Sequence, residues 1–411
     1  MSARPPIDTE QALQAETIAA VAEIGQAAWD ACAGPDNPFV RYAFLHALEM
    51  SGSVGTEESG WLPQHIVIRF GDDGPPVALV PMYLKLHSYG EYVFDHGWAD
   101  GYERAGGRYY PKLQAAVPFT PATGPRVLLH PGVDDPLKLR RLAASVMAQI
   151  AERMGVSSVH VTFPTKPEWD AFGEAGWCQR LGHQYHWFNN DYGSFDDFLA
   201  DLNARKRKAI KKERRQVAES GLKVEILTGA AIKTRHWDAF FQFYTDTGHR
   251  KWGAPYLTEA FFHEIGTTMA NDIALVMASD GDELVAGALN LIGADALYGR
   301  HWGCVDRVKF LHFEACYYQA IDFAIARDLS RVEAGAQGEH KIQRGYVPVP
   351  TYSAHWIADP RFRDAVEDFV TRERRAVVHR IDALQDCSPF RKTDGDPAAT
   401  PEVDASEILE L

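Results

Sequence analysis

Apolar residues in the first part of the chain recur at helical and then at alternating spacings. Between residues 9 and 33 they follow helical spacing up to Gly34-Pro35, so the pattern predicts a helix over 9–33. A second helix is predicted over 37–48, opened by Asn-Pro. The runs at 65–70 and 77–84, joined by Gly-Asp-Asp-Gly, predict a β-hairpin.

The next stretch, residues 85–125, is rich in Gly, Tyr and Pro and shows little periodicity. We expect a long loop here, and loops of this length usually line a site or form a lid. A strand over 126–129, a helix over 136–154 and a strand over 158–163 are predicted to follow.

The second half repeats this order of elements. The predicted elements are a charged helix from Phe195, a strand at 223–227, a helix at 235–247, three hairpin strands at 273–278, 283–292 and 296–302, a helix at 310–327 and a strand at 331–334. This repetition predicts two α/β domains around mixed sheets, over residues 1–188 and 189–387. The acidic tail, 388–411, is expected to be disordered.

Charge and composition exclude several classes of protein. The 411 residues carry 42 Lys and Arg against 56 Asp and Glu, a net charge of −14, which disfavours a general nucleic-acid coat. Neither a bilayer-spanning apolar run nor a signal peptide is evident, so we expect a cytoplasmic protein. Five scattered cysteines form no CxxC pair, and we expect no metal site. The absence of GxxxxGK[ST], GxGxxG, HExxH and GxSxG argues against P-loop, dinucleotide-binding, zincin and common serine-hydrolase chemistry.

The most strongly charged part of the chain is Arg205–Arg215, which we call the basic segment. Eight of its eleven residues are Lys or Arg. On a helix, the apolar residues around it form one narrow stripe and leave the remaining surface cationic. Such a surface favours phosphate-rich groups such as nucleotide, coenzyme A, tRNA or anionic lipid. The alternative is a solvated face that acidic loops neutralise.

A second candidate follows the predicted strand at 331–334. Glu339, His340, Lys341 and Arg344 lie between glycines at 335, 338 and 345, which we call the glycine-bracketed segment, 335–345. Glycine permits a close backbone approach, and these side chains offer an acid, a base and two cations. A loop at the end of a strand often holds a site. The alternative is a turn stabilised by its own ion pairs.

Other clusters carry weaker signals. Arg300 and His301 end the predicted hairpin, where His301 is either a core histidine or a base. His249 and Arg250 form a similar basic pair. In the first half, Asp95-His96-Gly97-Trp98 and the Gly/Pro-shaped loop 119–126 are their counterparts, and the loop either approaches a ligand or is a rigid turn.

Several of these stretches resemble a known family. Residues 284–298, the helix at 310–327, Val332–Gly338 and Lys341–Gly345 resemble the second half of FemAB-like proteins of the GNAT acyltransferase superfamily. The basic segment and Gly335–Lys341 are similar to bacterial predicted N-acyltransferases related to peptidoglycan-bridge enzymes. The resemblance covers most of residues 40–375. One departure is that Cys304–Lys309 stands where GNAT enzymes carry a pyrophosphate loop, which puts coenzyme A binding in question.

The resemblance implies an α/β fold of two tandem GNAT-like domains, with mixed sheets flanked by helices. It implies acyl transfer from acyl-CoA or aminoacyl-tRNA, as co-substrate rather than bound cofactor, to an amine on a small molecule or cell-envelope precursor. Glu339 or His340 would remove the proton, and Lys341 or Arg344 would orient an anionic group or stabilise charge. The expected substrate contacts are Glu333, Gln337, His301, Arg300, His249 and Arg250. The expected carrier contacts are Arg205, Lys208, Lys211, Lys212, Arg215, Arg307 and Lys309. The alternative is a non-catalytic binder of nucleic acid or anionic envelope polymer on a transferase fold.

Overall fold

The computed structural model describes residues 12–72, 74–251, 255–305, 308–335 and 338–391, excepting the side chains of 249–251. Its contacts divide the chain into two compact units. The first holds the described residues up to Gly182 with Thr351–Arg375, and the second holds His183–Pro350 with the described residues from Ala376 onward. The division into domains 1–188 and 189–387 remains a prediction, and residues 392–411 of the predicted disordered tail lie outside the described residues.

The first unit contains two sets of paired strands. Its elements are β1 (Leu13–Ile18), α1 (Gln26–Ala33), α2 (Tyr42–Met50), β2 (Trp61–Pro63), β3 (His65–Phe70), β4 (Pro76–Val80), β5 (Met82–Lys85), α3 (His96–Arg104), β6 (Lys112–Ala115), β7 (Leu128–Leu129), α4 (Pro136–Met154), β8 (Ser158–Thr162) and α5 (Lys166–Glu174). The strands β1-β3-β4-β7 form an antiparallel sheet. The order β2-β5-β6-β8-β15 is mixed, because β6 and β8 run parallel. The strands β9 (Cys178–Phe188) and β15 (Val347–Ile357) and the helix α12 (Pro360–Gln385) have residues in both units.

The helix α4 illustrates how local sequence defines an element here. The Asp135 carboxylate caps the helix by accepting from the Lys138 N–H, and Pro136 occupies the first turn, where no N–H is needed. The helix ends at Gly155, whose φ of 65° suits glycine. Between these ends the helix buries an apolar stripe that includes Leu139 and Met147, and this stripe packs into the core of the first unit. Both ends of this helix agree with the sequence prediction.

The second unit carries one mixed sheet with helices. Its further elements are α6 (Phe195–Asp201), α7 (Ala204–Ala218), β10 (Lys223–Thr228), α8 (Thr234–Lys251), α9 (Glu259–Thr268), β11 (Ile273–Asp280), β12 (Glu283–Ile292), β13 (Ala296–Cys304), α10 (Leu311–Phe313), α11 (Gln319–Ala326) and β14 (Arg331–Glu333). The strand order is β10-β11-β12-β13-β14-β9, in which only β13 and β14 pair in parallel. A π-helical turn, Glu314–Tyr318, joins α10 to α11.

The pairing of β13 with β14 is short. The two strands pair only over Ala296–Tyr298 and Arg331–Glu333, although β13 continues to Cys304. A β-bulge in the pairing of β12 with β13, between Leu289 and Asn290, adds to the local distortion. The next described element after β14 is a 3₁₀ helix, Glu339–Arg344, which we call the 339–344 turn.

Two sequence predictions for the first unit are wrong. The predicted helix over 9–33 is a strand over Leu13–Ile18, which pairs with β3, followed by a separate helix that begins after Gly25 (φ 79°). Pairing with a partner some fifty residues away outweighs the local helical spacing there. The predicted loop over 85–125 contains α3 and β6. The strand β6 buries the polar residues Lys112 and Gln114.

Within the described residues, no helix has both the length and the apolar character needed to cross a bilayer.

Candidate functional site

Glu333, the last residue of β14, is a buried carboxylate in an incompletely satisfied environment. The Arg331 Nε donates to its Oε1 at 3.0 Å. Its Oε2 has no hydrogen bond from any described residue and lies 3.7 Å from the Nε2 of His186 on β9. Burial raises the pKa of Glu333 to about 6, and burial lowers the pKa of His186 to about 3. At neutral pH the imidazole of His186 is therefore neutral, and Glu333 holds its proton more strongly than an exposed glutamate does.

Lys341 occupies the buried side of the 339–344 turn. Its ammonium group donates to the carbonyl oxygens of Ala334 and of Gly335, the latter at 3.1 Å. Burial lowers the pKa of Lys341 to about 8, so the side chain titrates close to neutral pH. The turn begins after Gly338 (φ 98°) and ends at Gly345 (φ 86°), conformations that favour glycine. The glycines therefore bring the lysine back against the end of β14.

Glu339 and His340 lie on the exposed side of the same turn. Glu339 forms an ion pair with Arg380, and both side chains are more than half exposed. The His340 Nε2 forms a 3.0 Å hydrogen bond with the Tyr317 hydroxyl on the π-helical turn. Burial, with Arg344 and Lys341 nearby, lowers the pKa of His340, so its imidazole is neutral and able to accept a proton at neutral pH.

Arg344 connects the 339–344 turn to the basic segment. Its Nη2 donates to both carboxylate oxygens of Glu213 on α7, at 2.9 and 3.0 Å. Its Nη1 donates to the His340 carbonyl at 2.8 Å, and the guanidinium lies 3.4 Å from the centre of the Phe313 ring. The Tyr318 hydroxyl also donates to Glu213. The glycine-bracketed segment and the basic segment are thus in direct contact within the second unit.

The basic segment forms most of α7, which the Asn203 side chain caps and which Ile210 and Val217 anchor by burial. The five predicted carrier contacts on α7 are all exposed: Arg205, Lys208, Lys211, Lys212 and Arg215. Lys211 pairs with Asp196 at 2.9 Å and Arg215 with Glu219 at 3.7 Å, so acidic side chains accompany part of this surface. Arg214 instead turns inward to Glu314 and Asp322 and lies over the Phe195 ring.

The predicted residues on β13 lie near a cluster of aromatic rings. His301 packs against the Tyr244 ring at 5.0 Å between centres, and burial lowers its pKa to about 3, so it stays neutral. Its neighbour Trp302 lies 5.4 Å from the His312 ring, which is also 6.3 Å from the His340 ring. His312 therefore lies between β13 and the 339–344 turn.

The remaining predicted contacts have different outcomes. Gln337 and Arg307 lie outside the described residues, as do the side chains of His249 and Arg250. Lys309 is exposed and lies 5.0 Å from the Phe310 ring.

In the first unit, the loop 119–126 directs Arg126 inward. Its guanidinium donates to carbonyl oxygens of Ala122, Gly124 and Thr162, which matches the rigid-turn alternative.

Sequence reasoning missed the residues that connect these elements. They are His186, Glu213, Arg214, His312, Tyr317 and Tyr318. One signal was available, since Glu213 is the single acid among the eleven residues of the basic segment.

One group of side chains elsewhere in the second unit has the composition of a metal site. Ligand atoms of Asp238, Glu259 and His263 lie within 4.8 Å of one another, and His263 Nε2 is 3.2 Å from Asp238 Oδ1. The two carboxylates are exposed, and a direct contact between Asp238 and His263 accounts for the short distance. The expectation of no metal site stays a prediction.

Comparisons with known proteins agree with this architecture. The FemAB-like family model, described as peptidoglycan biosynthesis/recognition, matches residues 20–392. No curated protein matches the sequence. The structure is similar to FemX, with a TM-score of 0.52, 11% identity and coverage of 86% of this chain and 100% of that one. It is also similar to the C-terminal DUF2156 domain of a putative lysylphosphatidylglycerol synthetase from Agrobacterium fabrum, with a TM-score of 0.53, 9% identity and coverage of 84% and 96%.

A tandem GNAT protein from the clavulanic acid biosynthesis pathway also matches, with a TM-score of 0.46, 10% identity and coverage of 85% of this chain and 99% of that one. At such identities the likeness concerns the fold alone. The family model and the likeness to FemX confirm the expected fold class, two tandem GNAT-like domains with mixed sheets flanked by helices.

Proposed function

The chain belongs to the FemAB-like family, and on that premise we propose that it is an N-acyltransferase. It moves an acyl or aminoacyl group from a phosphate-bearing carrier, acyl-CoA or aminoacyl-tRNA, to an amine. The observation that carries the proposal is the contact between the basic segment and the 339–344 turn, in which Arg344 donates to both carboxylate oxygens of Glu213. A surface suited to phosphates and a turn suited to proton transfer therefore belong to one site.

In the proposed reaction, the acceptor nitrogen bonds to the acyl carbon, and the bond from that carbon to the carrier's oxygen or sulfur breaks. The amine proton passes to the neutral imidazole of His340, directly or through water, and then to the leaving oxygen or sulfur. Lys341 supplies positive charge where the oxyanion develops. Glu339 is the alternative base, although its ion pair with Arg380 at the surface makes it less suited.

The exposed face of α7 favours a large polyanion as the carrier. Arg205 and Arg215 are ten residues apart, which at about 1.5 Å per residue is roughly 15 Å of helix. Such a spread matches several successive phosphates of a tRNA better than the one diphosphate of coenzyme A. Lys309 and Arg307 remain proposed carrier contacts.

The acceptor is proposed to be an amine on a cell-envelope precursor, in keeping with the family description, and the reaction is proposed to occur in the cytoplasm. Glu333, buried at the end of β14, is proposed to contact this acceptor. The other proposed acceptor contacts are Gln337, Arg300, His301, His249 and Arg250.

A paired donor assay tests the proposal. Purified protein is incubated with amine acceptors and either acyl-CoA, with detection of free thiol, or aminoacyl-tRNA, with detection of deacylation and of the amide by mass spectrometry. We expect His340→Asn to lower turnover about 100-fold or more, because general-base assistance contributes about that much. His379→Asn, an exposed histidine on α12, is the matched control and should change turnover less than about twofold.

Two outcomes would contradict the proposal. Consumption of neither donor, combined with nucleic-acid or polymer binding that falls steeply with salt, identifies the non-catalytic binder. Full activity of both His340→Asn and Glu339→Gln shows that the base lies elsewhere.

A further inference from the structure

Glu213 differs from its neighbours in the basic segment in both charge and environment. Its side chain is 15% exposed, whereas the five predicted carrier contacts of α7 lie in solvent. Both of its carboxylate oxygens accept from Arg344, and Oε2 also accepts from Tyr318. Burial raises the pKa of Tyr318, so this phenol keeps its proton and remains a donor. A carboxylate with three such bonds holds a fixed position.

Two sets of contacts lead from Glu213 to His340. In the first, Arg344 binds Glu213 through Nη2 and the His340 carbonyl through Nη1. In the second, Glu213 binds Tyr318, and the adjacent Tyr317 binds the His340 imidazole through Nε2. One contact fixes the backbone of His340 and the other fixes its ring. Because both sets of contacts begin at the Glu213 carboxylate, we expect its removal to loosen both.

The packing around Arg344 makes this dependence stronger. The guanidinium lies on Phe313, and its Nε is buried with no hydrogen-bond partner in the described part of the chain. Without Glu213, a buried cation would lose its only carboxylate among the described ion pairs, which is costly, so the arginine would move toward solvent. The His340 carbonyl would then lose its donor.

We propose that Glu213 is a positioning residue, which holds His340 in a fixed relation to the carrier-binding helix α7. The inference rests on the proposed function, in which α7 binds the carrier and His340 takes the amine proton. A carrier bound to the exposed face of α7 is thereby aligned with the imidazole that takes the amine proton. Misplacement of a reacting group by about 1 Å costs about 100-fold in rate.

The test compares Glu213→Gln with Glu219→Gln, an exposed acid just beyond the end of α7. For Glu213→Gln we expect kcat to fall about 100-fold, while KM for the carrier stays within about threefold, because the exposed cations remain. Glu213→Asp keeps the charge but is shorter, and it should recover part of kcat. Glu219→Gln should leave both constants within about twofold.

A second readout does not depend on turnover. The ¹⁵N NMR spectrum of the His340 imidazole should show one dominant tautomer in the wild type and averaging of both in Glu213→Gln, because the ring loses its fixed hydrogen bond. Unchanged kcat, or an unchanged imidazole spectrum, in a folded Glu213→Gln protein overturns the positioning role. If wild type transfers no acyl group but the spectra behave as expected, the proposed function fails and the positioning role of Glu213 stands.

Discussion

Two buried lysines, one in each unit, show how differently this chain treats the same side chain. Lys112 of the first unit donates to Glu91 and Ser88, both at 2.8 Å, and to Asp95. Lys341 of the second unit donates only to backbone carbonyl oxygens among its described contacts. Both side chains are nearly or fully buried. The difference is that carboxylates surround the Lys112 ammonium, whereas backbone carbonyl oxygens surround that of Lys341.

The surroundings decide the ionisation of each lysine. Burial lowers the pKa of Lys112, but Glu91 and Asp95 outweigh it, so the net pKa is raised and the charge is permanent. Among the described residues no carboxylate pairs with Lys341, and burial lowers its pKa to about 8. A cation matched by carboxylates is suited to holding structure, and one matched by carbonyl dipoles is suited to responding to a substrate.

The Lys112 cluster also explains the segment between β5 and α3. Ser88, Glu91 and Asp95 point inward to the ammonium, while Tyr89 and Phe94 are 60% and 64% exposed. The usual arrangement of polar residues outside and aromatic residues inside is reversed. Hydrogen bonds and ion pairs to Lys112 therefore hold the polar side chains of this segment inward.

The largest expected effect comes from removing Lys112, the cation that is paired with buried carboxylates. Lys112→Met leaves Glu91 and Asp95 buried without their principal partner, and we expect the free energy of unfolding to fall by about 3–5 kcal/mol. Urea denaturation followed by tryptophan fluorescence measures this change. Lys138→Met, at an exposed position of α4, is the control and should stay within about 0.5 kcal/mol. A loss below about 1 kcal/mol for Lys112→Met would show that the cluster is not structural.

Lys341→Met, unlike Lys112→Met, should lower activity much more than stability. We expect stability at pH 7 to change by about 1 kcal/mol or less, because the buried charge is poorly matched, while turnover falls about 100-fold with the loss of oxyanion stabilisation. Lys341→Arg, which keeps a charge, should recover part of the activity. A large loss of stability without loss of turnover would place Lys341 in the same class as Lys112.

The pH dependence of Lys341 sharpens the same experiment. The pKa in the folded protein, about 8, lies below the ordinary value of 10.5, so between these values the unfolded chain binds more protons. Stability therefore rises with pH across this window in the wild type, and the rise is smaller in Lys341→Met. Turnover of the wild type should fall above about pH 8, where Lys341 loses its proton. In Lys341→Arg this fall should shift to higher pH, because arginine stays charged.

Long periodic elements of this fold were predictable from the sequence. The helix α4 and the strands β11 to β13 carry strong patterns bounded by turn residues, and the structure has them. The strand β1 was not predictable, because its pairing with β3 depends on residues far along the chain. The strand β6 was missed for another reason: it buries Lys112 and Gln114, which a hydrophobic pattern reads as surface.

The same contrast holds for the candidate site. The glycine-bracketed segment and the basic segment were predicted from composition, because glycines and clustered charges are visible locally. The role of Glu213 was not, because its partners Tyr318 and Arg344 lie more than a hundred residues away. Within the basic segment, Arg214 is equally basic but binds Glu314 inside the fold. Sequence shows how much charge a helix carries, and packing decides which charges reach solvent.

The smallest expected effect comes from removing one exposed cation of α7, in contrast to the inward-facing Arg214. Lys212→Ala, on the exposed face of α7, should leave stability within about 0.5 kcal/mol but weaken tRNA binding a few-fold. The slope of log affinity against log salt should drop by about one, because one phosphate contact is lost. Lys223→Ala, at an exposed lysine on β10 that pairs with Glu225, is the matched control. Equal effects of the two substitutions would mean that the protein attracts polyanions only by diffuse charge. A salt slope altered by Lys212→Ala alone would identify the exposed face of α7 as the surface where the carrier binds.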